Sequence, residues 1–164
     1  MPPPPIDLGA AAAALHITAR AGCDLAPLDP TRPDDQITLL SYIWPDELPR
    51  IDRMRAALAV AARDPVPVAA ARGSEWLPEA LAGAAGDDEL TVVWHSVMRQ
   101  YVDPDEWEAI ERALDGQPGV VRLSMEPALD QRAPMQLTVH DPAGARERRL
   151  ALCDDHGLPI HWDT

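Results

Sequence analysis

The run Leu90–Val97 is the stretch that most constrains the fold of this chain. It is a short apolar, β-branched segment that follows an acidic turn at residues 86–89 and reaches a polar pair at His95 and Ser96. Because helical patterns lie on both sides, the run predicts a buried central strand of a parallel sheet. The carboxyl ends of such strands face the ligand crevice of open α/β sheets, so His95 and Ser96 are candidate site residues.

Strand and helix patterns alternate along the rest of the chain. Helices are predicted to begin near Asp34, Asp46, Ser74 and Asp103. Strands are predicted over residues 15–20, 66–70, 120–125 and 159–162, with a hairpin over 136–140 and 149–153. This order indicates an α/β fold in which helices cover a mostly parallel sheet and the C-terminal antiparallel hairpin extends its edge.

The clearest helix start lies at Asp103. Asp103, Pro104 and Glu106 occupy the N-cap, N1 and N3 positions of a capping box. An apolar stripe of Trp107, Ile110 and Leu114 follows, and Gly116 predicts the end of the helix.

The length of 164 residues favours one domain. Residues 1–14 are rich in proline and alanine and predict a disordered arm, because a proline run has no packing partners of its own. Residues 15–164 are therefore predicted to form a single α/β domain.

Net charge, apolar run length and cysteine content indicate which partners and which cellular location to expect. The formal net charge is −13, so the chain repels phosphate backbones and nucleic-acid binding is not expected. No apolar run approaches the length of a membrane span, and no signal peptide is recognisable, which predicts a cytoplasmic protein without membrane contact. Cys23 and Cys153 are accordingly expected to be reduced thiols.

Motifs for common chemistries are missing from the sequence. His140-Asp141 and Asp154-Asp155-His156 have metal-ligand residue types, but their spacing matches no ligand motif, and no metal is predicted. No Gly-x-Ser-x-Gly elbow surrounds Ser96, and residues adjacent in the chain rarely form a nucleophile–base pair, which argues against an esterase triad.

Two aspartates follow the first predicted strand and allow two interpretations. Asp24 and Asp29 can accept hydrogen bonds from a ribose, as carboxylates do in nucleotide-binding sheets. Alternatively, both are turn residues that bond their own backbone. Trp76 and Trp94 are likewise either core residues or ligand platforms, and Trp94 at the strand tip is the better platform.

A succession of short motifs then resembles a bacterial family, the domain of unknown function numbered twenty-three thirty-two. The similarity is to the C-terminal half of that family and covers the chain from about residue 16 onward. The motifs occur in one order: Gly22–Asp29, Trp44-Pro45-Asp46 followed by Arg50, Glu75-Trp76-Leu77, Val92–Ser96, and Gln100-Tyr101.

That family in turn resembles class I S-adenosylmethionine-dependent methyltransferases. The resemblance implies a Rossmann-like, methyltransferase-like three-layer sandwich that lacks its first strand, with the glycine-rich N-terminal half missing. It implies S-adenosylmethionine as the cofactor and three catalytic candidates, His95, Ser96 and Tyr101. The implied cofactor-binding candidates are Asp24, Asp29, Glu75, Trp76 and Trp94.

Three hypotheses about function follow. The first is a truncated methyltransferase-type protein that acts on an unidentified small molecule or protein. The second is a non-catalytic interaction or oligomerisation module, whose exposed sheet edge binds a partner or a second copy of the chain. The third is an unrelated small hydrolase that uses His95.

Overall fold

The computed structural model describes residues 8–82, 89–127, 135–141, 146–154 and 159–163. These residues form a mixed α/β fold. The α-helices are α1 (Leu8–Ala14), α2 (Pro33–Ser41), α3 (Leu48–Arg63), α4 (Gly73–Ala82) and α5 (Pro104–Leu114), with a 3-10 turn over Arg99–Tyr101. The strands are β1 (Gly22–Asp24), β2 (Val68–Ala70), β3 (Thr91–Ser96), β4 (Val120–Glu126), β5 (Met135–Asp141), β6 (Arg146–Cys153) and β7 (Ile160–Trp162).

The described strands form two sheets. β1 and β2 make a two-stranded parallel sheet, and the other five form a sheet in the order β3-β4-β5-β6-β7. Within the five-stranded sheet only β3 and β4 are parallel, and the remaining pairs are antiparallel. The expectation of a mostly parallel sheet is therefore wrong. Three of the four strand pairs in the five-stranded sheet are antiparallel, whereas the prediction limited antiparallel pairing to the C-terminal hairpin. The hairpin of β5 and β6 is confirmed.

β3 is the end strand of its sheet, which corrects the prediction of a buried central strand. Its burial alternates: Thr91, Val93 and His95 are partly covered, whereas Val92 and Trp94 are exposed. This two-residue period is that of a strand with one covered face. The apolar run conceals the alternation because Val92 and Val93 are chemically identical and differ only in the face they occupy.

The chain divides into two compact units. The N-terminal unit spans residues 7–72, and the C-terminal unit includes residues 73–164. The prediction of one domain over residues 15–164 stays a prediction.

The N-terminal unit departs from the sequence pattern at its start. A helix, α1, lies within the segment predicted to be a disordered arm, consistent with the high helix propensity of its alanines. The strand predicted over residues 15–20 is wrong, since no regular structure forms there and Leu15 and Ile17 are exposed. The strand begins instead at Gly22, where the backbone finds a parallel partner in β2.

The core of the C-terminal unit lies among α4, α5 and β4. Its buried residues are Leu77, Leu81, Trp107, Ile110, Leu114 and Val120. This confirms the apolar stripe predicted for α5. The helix ends where Gly116 adopts a φ of 69°, a backbone conformation that favours glycine.

The start of α4 packs tightly against α5. A Cβ atom at Gly73 would lie 2.9 Å from Cδ1 of Ile110, so the position suits glycine. Ser74 donates to Glu106 from its backbone nitrogen at 3.0 Å and from Oγ at 2.8 Å. The predicted capping box is therefore not formed: Asp103 makes no side-chain cap bond, and Glu106 joins the two helices instead.

Two further findings concern the described residues of both units. No helix in the described part is both long and apolar enough to cross a membrane. Cys23 and Cys153 are not joined in a disulfide, in line with the expectation of reduced thiols. Burial raises the pKa of the Cys153 thiol, and the neighbouring charge of Asp154 adds to the effect.

Candidate acid–base site

The candidate site lies in the C-terminal unit at the carboxyl end of β3. His95 is the fifth residue of this strand and its side chain is only 10% exposed. The imidazole contacts the buried Trp107 of α5 edge-on, with ring centroids 5.3 Å apart and planes at 73°. His95 is therefore held on the covered face of the sheet, between the strand and the helix.

Glu126, the last residue of β4, is the partner of His95. One of its oxygens, Oε1, lies 2.7 Å from Nδ1 of His95, and the carboxylate side chain is 16% exposed. An ionised carboxylate can only accept hydrogen bonds, so Nδ1 carries the proton of the neutral ring. This assigns the lone pair of the imidazole to Nε2, the nitrogen required for a general base.

The same carboxylate oxygen also holds the backbone after β3. It accepts hydrogen bonds from the backbone nitrogens of Met98 at 3.0 Å and Arg99 at 3.4 Å. Together with the imidazole, three donors converge on Oε1. Glu126 thus joins the end of β4 to both the base and the 3-10 turn.

The backbone that connects β3 to the 3-10 turn is strained. Val97 has a φ of +50°, in the left-handed region that a β-branched residue rarely adopts. Its backbone nitrogen donates to the Met125 carbonyl oxygen at 3.1 Å. Strain of this kind costs about 1–3 kcal/mol and is concentrated at functional sites, where surrounding bonds maintain it.

Four buried side-chain polar atoms of the C-terminal unit have no hydrogen-bond partner in the described structure, and three of them belong to this site. They are Nε2 of His95, Nε1 of Trp107, Oε2 of Glu126 and Nδ1 of His140. An unpaired buried donor or acceptor costs about 1–3 kcal/mol, and native proteins contain few of them. A polar ligand that pairs with these atoms would recover part of that cost.

The other catalytic candidates do not join His95. Ser96 is the next residue of β3, and strand alternation directs it to the opposite face. Tyr101 ends the 3-10 turn and is 79% exposed.

The cofactor-binding candidates of the C-terminal unit differ in exposure. Glu75 lies exposed in the first turn of α4. Trp76 is partly buried against the core cluster, as the core interpretation predicts. Trp94 is 51% exposed on the face of β3 opposite His95, so its ring is accessible as a platform.

Asp24 and Asp29 belong to the N-terminal unit and act as turn residues. Oδ1 of Asp24 accepts from the Ala26 backbone nitrogen at 2.8 Å. Oδ1 of Asp29 accepts from both the backbone nitrogen and the hydroxyl of Thr31, and these bonds lower the pKa of Asp29. The structure thus supports the turn interpretation for both. It also places Asp24 at the end of β1 instead of in a loop.

The structure covers only part of the two sequence clusters of metal-ligand residue types. Asp155 and His156 lie outside the described residues. Within the described ranges, no group of three His, Cys, Asp or Glu side chains is arranged to hold a metal ion.

Sequence reasoning missed Glu126, although a signal existed. β3 and β4 are parallel, with Ser96 level with Met125. Because the carboxyl ends of parallel strands meet at the same edge, the residue ending the next strand was the natural partner for His95. Arg99, the first residue of the 3-10 turn after β3, was also missed.

Comparison with known proteins identifies a family without an assigned activity. No curated protein and no solved structure gives a significant match to the chain. A family described as an uncharacterized protein conserved in bacteria (DUF2332) matches residues 2–162, nearly the whole sequence. The chain therefore belongs to this family.

Proposed function

We propose that the protein is a Rossmann-like, methyltransferase-type α/β protein in which His95 acts as the general base. The observation that carries the role of His95 is its pairing with Glu126 at the carboxyl end of the parallel strands β3 and β4. The ordered motifs support membership of the family, and the methyltransferase class rests only on the resemblance of that family to class I S-adenosylmethionine-dependent methyltransferases. The parallel pairs β1–β2 and β3–β4, each joined through helices, support a fold of this type.

The proposed role of His95 is to remove a proton from the methyl acceptor. When bound, S-adenosylmethionine supplies an electrophilic methyl group. Nε2 of His95 would take up the proton that the acceptor oxygen or nitrogen gives up when it is methylated. Glu126 stabilises the imidazolium through Nδ1–H. Because Nε2 is buried, a covering group must move before an acceptor reaches it.

Asp24 is the residue of the N-terminal unit that best fits a cofactor ribose. It is exposed at the carboxyl end of β1, and its bond to Ala26 uses only Oδ1, which leaves Oδ2 to accept a hydrogen bond from a ribose hydroxyl. Asp29 fits less well, because Thr31 already makes two bonds to one of its oxygens.

Thermal unfolding in the presence of S-adenosylhomocysteine tests the proposal. A ligand at about 100 times its dissociation constant stabilises a protein by roughly 2.7 kcal/mol, which is easily measured. We expect a concentration-dependent rise in melting temperature that Asp24→Asn weakens and Asp52→Asn, an exposed aspartate on α3, leaves unchanged. No rise up to millimolar ligand would contradict cofactor binding, and an equal rise in Asp24→Asn would exclude the role of Asp24.

The second arm of this test addresses His95. We expect His95→Ala to abolish release of S-adenosylhomocysteine from S-adenosylmethionine when a bacterial metabolite extract supplies the acceptor. The shift caused by S-adenosylhomocysteine should persist in the variant, since His95 is assigned to the acceptor proton. A variant that binds and turns over at the unchanged rate would remove His95 from the mechanism.

A non-catalytic interaction module is the second candidate. It is favoured by β3 being the end strand of its sheet, with Val92 and Trp94 exposed on one face. An end strand of this kind is a template for pairing with another chain. If this function holds, light scattering should give a mass above that of one chain, and Val92→Lys should reduce it. A monomeric mass at all concentrations would contradict pairing of two copies.

A further inference from the structure

We propose that the substrate of this site carries an oxyanionic group, a carboxylate or phosphate, that Arg99 binds. This rests on the proposed function in one respect: the anion is taken to belong to the molecule whose proton His95 removes. The inference names a class of substrate and a specificity-determining residue.

Arg99 is held in place by Trp107 and Glu126. Its guanidinium carbon lies 4.4 Å from the centroid of the Trp107 ring, within the range of a cation–π contact. Its backbone nitrogen donates to Oε1 of Glu126 at 3.4 Å. Trp107 is only 5% exposed, so the guanidinium rests on a fixed surface. A positioned guanidinium loses less conformational entropy when it binds an anion than a mobile one would.

The charge of Arg99 is not neutralised by an ion pair within the described residues. Arg122 provides the contrast. Its guanidinium lies 5.6 Å from the same ring centroid, but it is 12% exposed and pairs with Glu111 at 3.4 Å. Arg99 is exposed, so its remaining N–H donors are accessible to a ligand. The planar donor fork of a guanidinium matches the oxygens of a carboxylate or phosphate.

Arg99 and His95 share both supporting groups. Each contacts the Trp107 ring, and each donates to the same oxygen of Glu126. An anion on Arg99 therefore brings the rest of its molecule to the region of the unpaired Nε2 atom of His95 and Nε1 atom of Trp107. The positive charge is notable in a chain with a net charge of −13, which repels anions elsewhere.

The test follows the indole N–H of Trp107 by nitrogen-15 NMR during titration with small probes. Benzoate and phenyl phosphate carry the two oxyanions, and benzamide is the neutral control. We expect a saturable shift with at least one anion and none with benzamide. Arg99→Gln should weaken anion binding about tenfold or more, because a charge-assisted bond is lost. Arg112→Gln, on the exposed face of α5, should leave binding unchanged.

Which anion saturates distinguishes a carboxylate from a phosphate substrate. The absence of a saturable shift, or equal affinity in Arg99→Gln, would overturn the proposal. The titration needs neither cofactor nor turnover, so its result is independent of the methyltransferase test. Arg99-dependent anion binding without any response to S-adenosylhomocysteine would leave the anion site standing and reject the proposed reaction class.

Discussion

Replacement of Trp107 by alanine is expected to lower the free energy of unfolding of the C-terminal unit by about 3–5 kcal/mol. Trp107 is buried in the core cluster beside Ile110 and Leu114. Its removal leaves a cavity and also takes away the surface that supports His95 and Arg99. Urea denaturation of the full chain measures the loss.

Trp94→Ala is the matched control for this prediction. It removes a side chain of the same type from a half-exposed position on β3, where the expected loss in the free energy of unfolding is below about 1 kcal/mol. Equal losses in the two variants would mean that burial of Trp107 in the core cluster adds nothing to the stability of this unit.

Glu126→Ala is the second substitution with a large expected effect. It leaves the imidazole Nδ1–H of His95 and the backbone N–H groups of Met98 and Arg99 without their acceptor. We expect a loss of about 2–4 kcal/mol in the free energy of unfolding, because unsatisfied donors are costly in a partly buried site. Glu126→Gln retains a carbonyl oxygen and should lose less.

A spectroscopic measurement separates this prediction from general destabilisation. Nitrogen-15 NMR should show the lone pair of His95 on Nε2 in the native protein and a mixture of both tautomers in Glu126→Ala. Glu108→Ala, which removes an exposed partner of Arg112, should change neither the tautomer nor the stability appreciably. A native protein with the lone pair on Nδ1 would contradict the assigned hydrogen bond.

Local pattern predicted the elements of this chain better than it predicted their pairing. The stripe of α5 and the hairpin of β5 and β6 follow from side-chain periods and turn residues, and both are confirmed. The place of β3 in its sheet depends on which distant strands it meets, and an apolar run carries no such information. The strand predicted over residues 15–20 was wrong for a related reason: alternation without a partner strand does not form a sheet.

The candidate site shows the same limit. His95 could be selected because it ends an apolar strand, which is a local feature. Glu126 is 31 residues away, and only the parallel pairing of β3 and β4 brings it to His95. Glu106 illustrates the reverse case, since its local capping pattern was clear but the folded chain uses it to bind Ser74.

The convergence of three donors on one oxygen of Glu126 has a thermodynamic consequence. A displacement of Oε1 changes its bonds to the His95 imidazole and to the Met98 and Arg99 amides together. Anion binding that shifts the backbone at Arg99 and a change in the orientation of the imidazole are then linked equilibria, and the coupling free energy must be the same in both directions. A molecule that docks its anion would therefore influence the orientation of the base that acts on it.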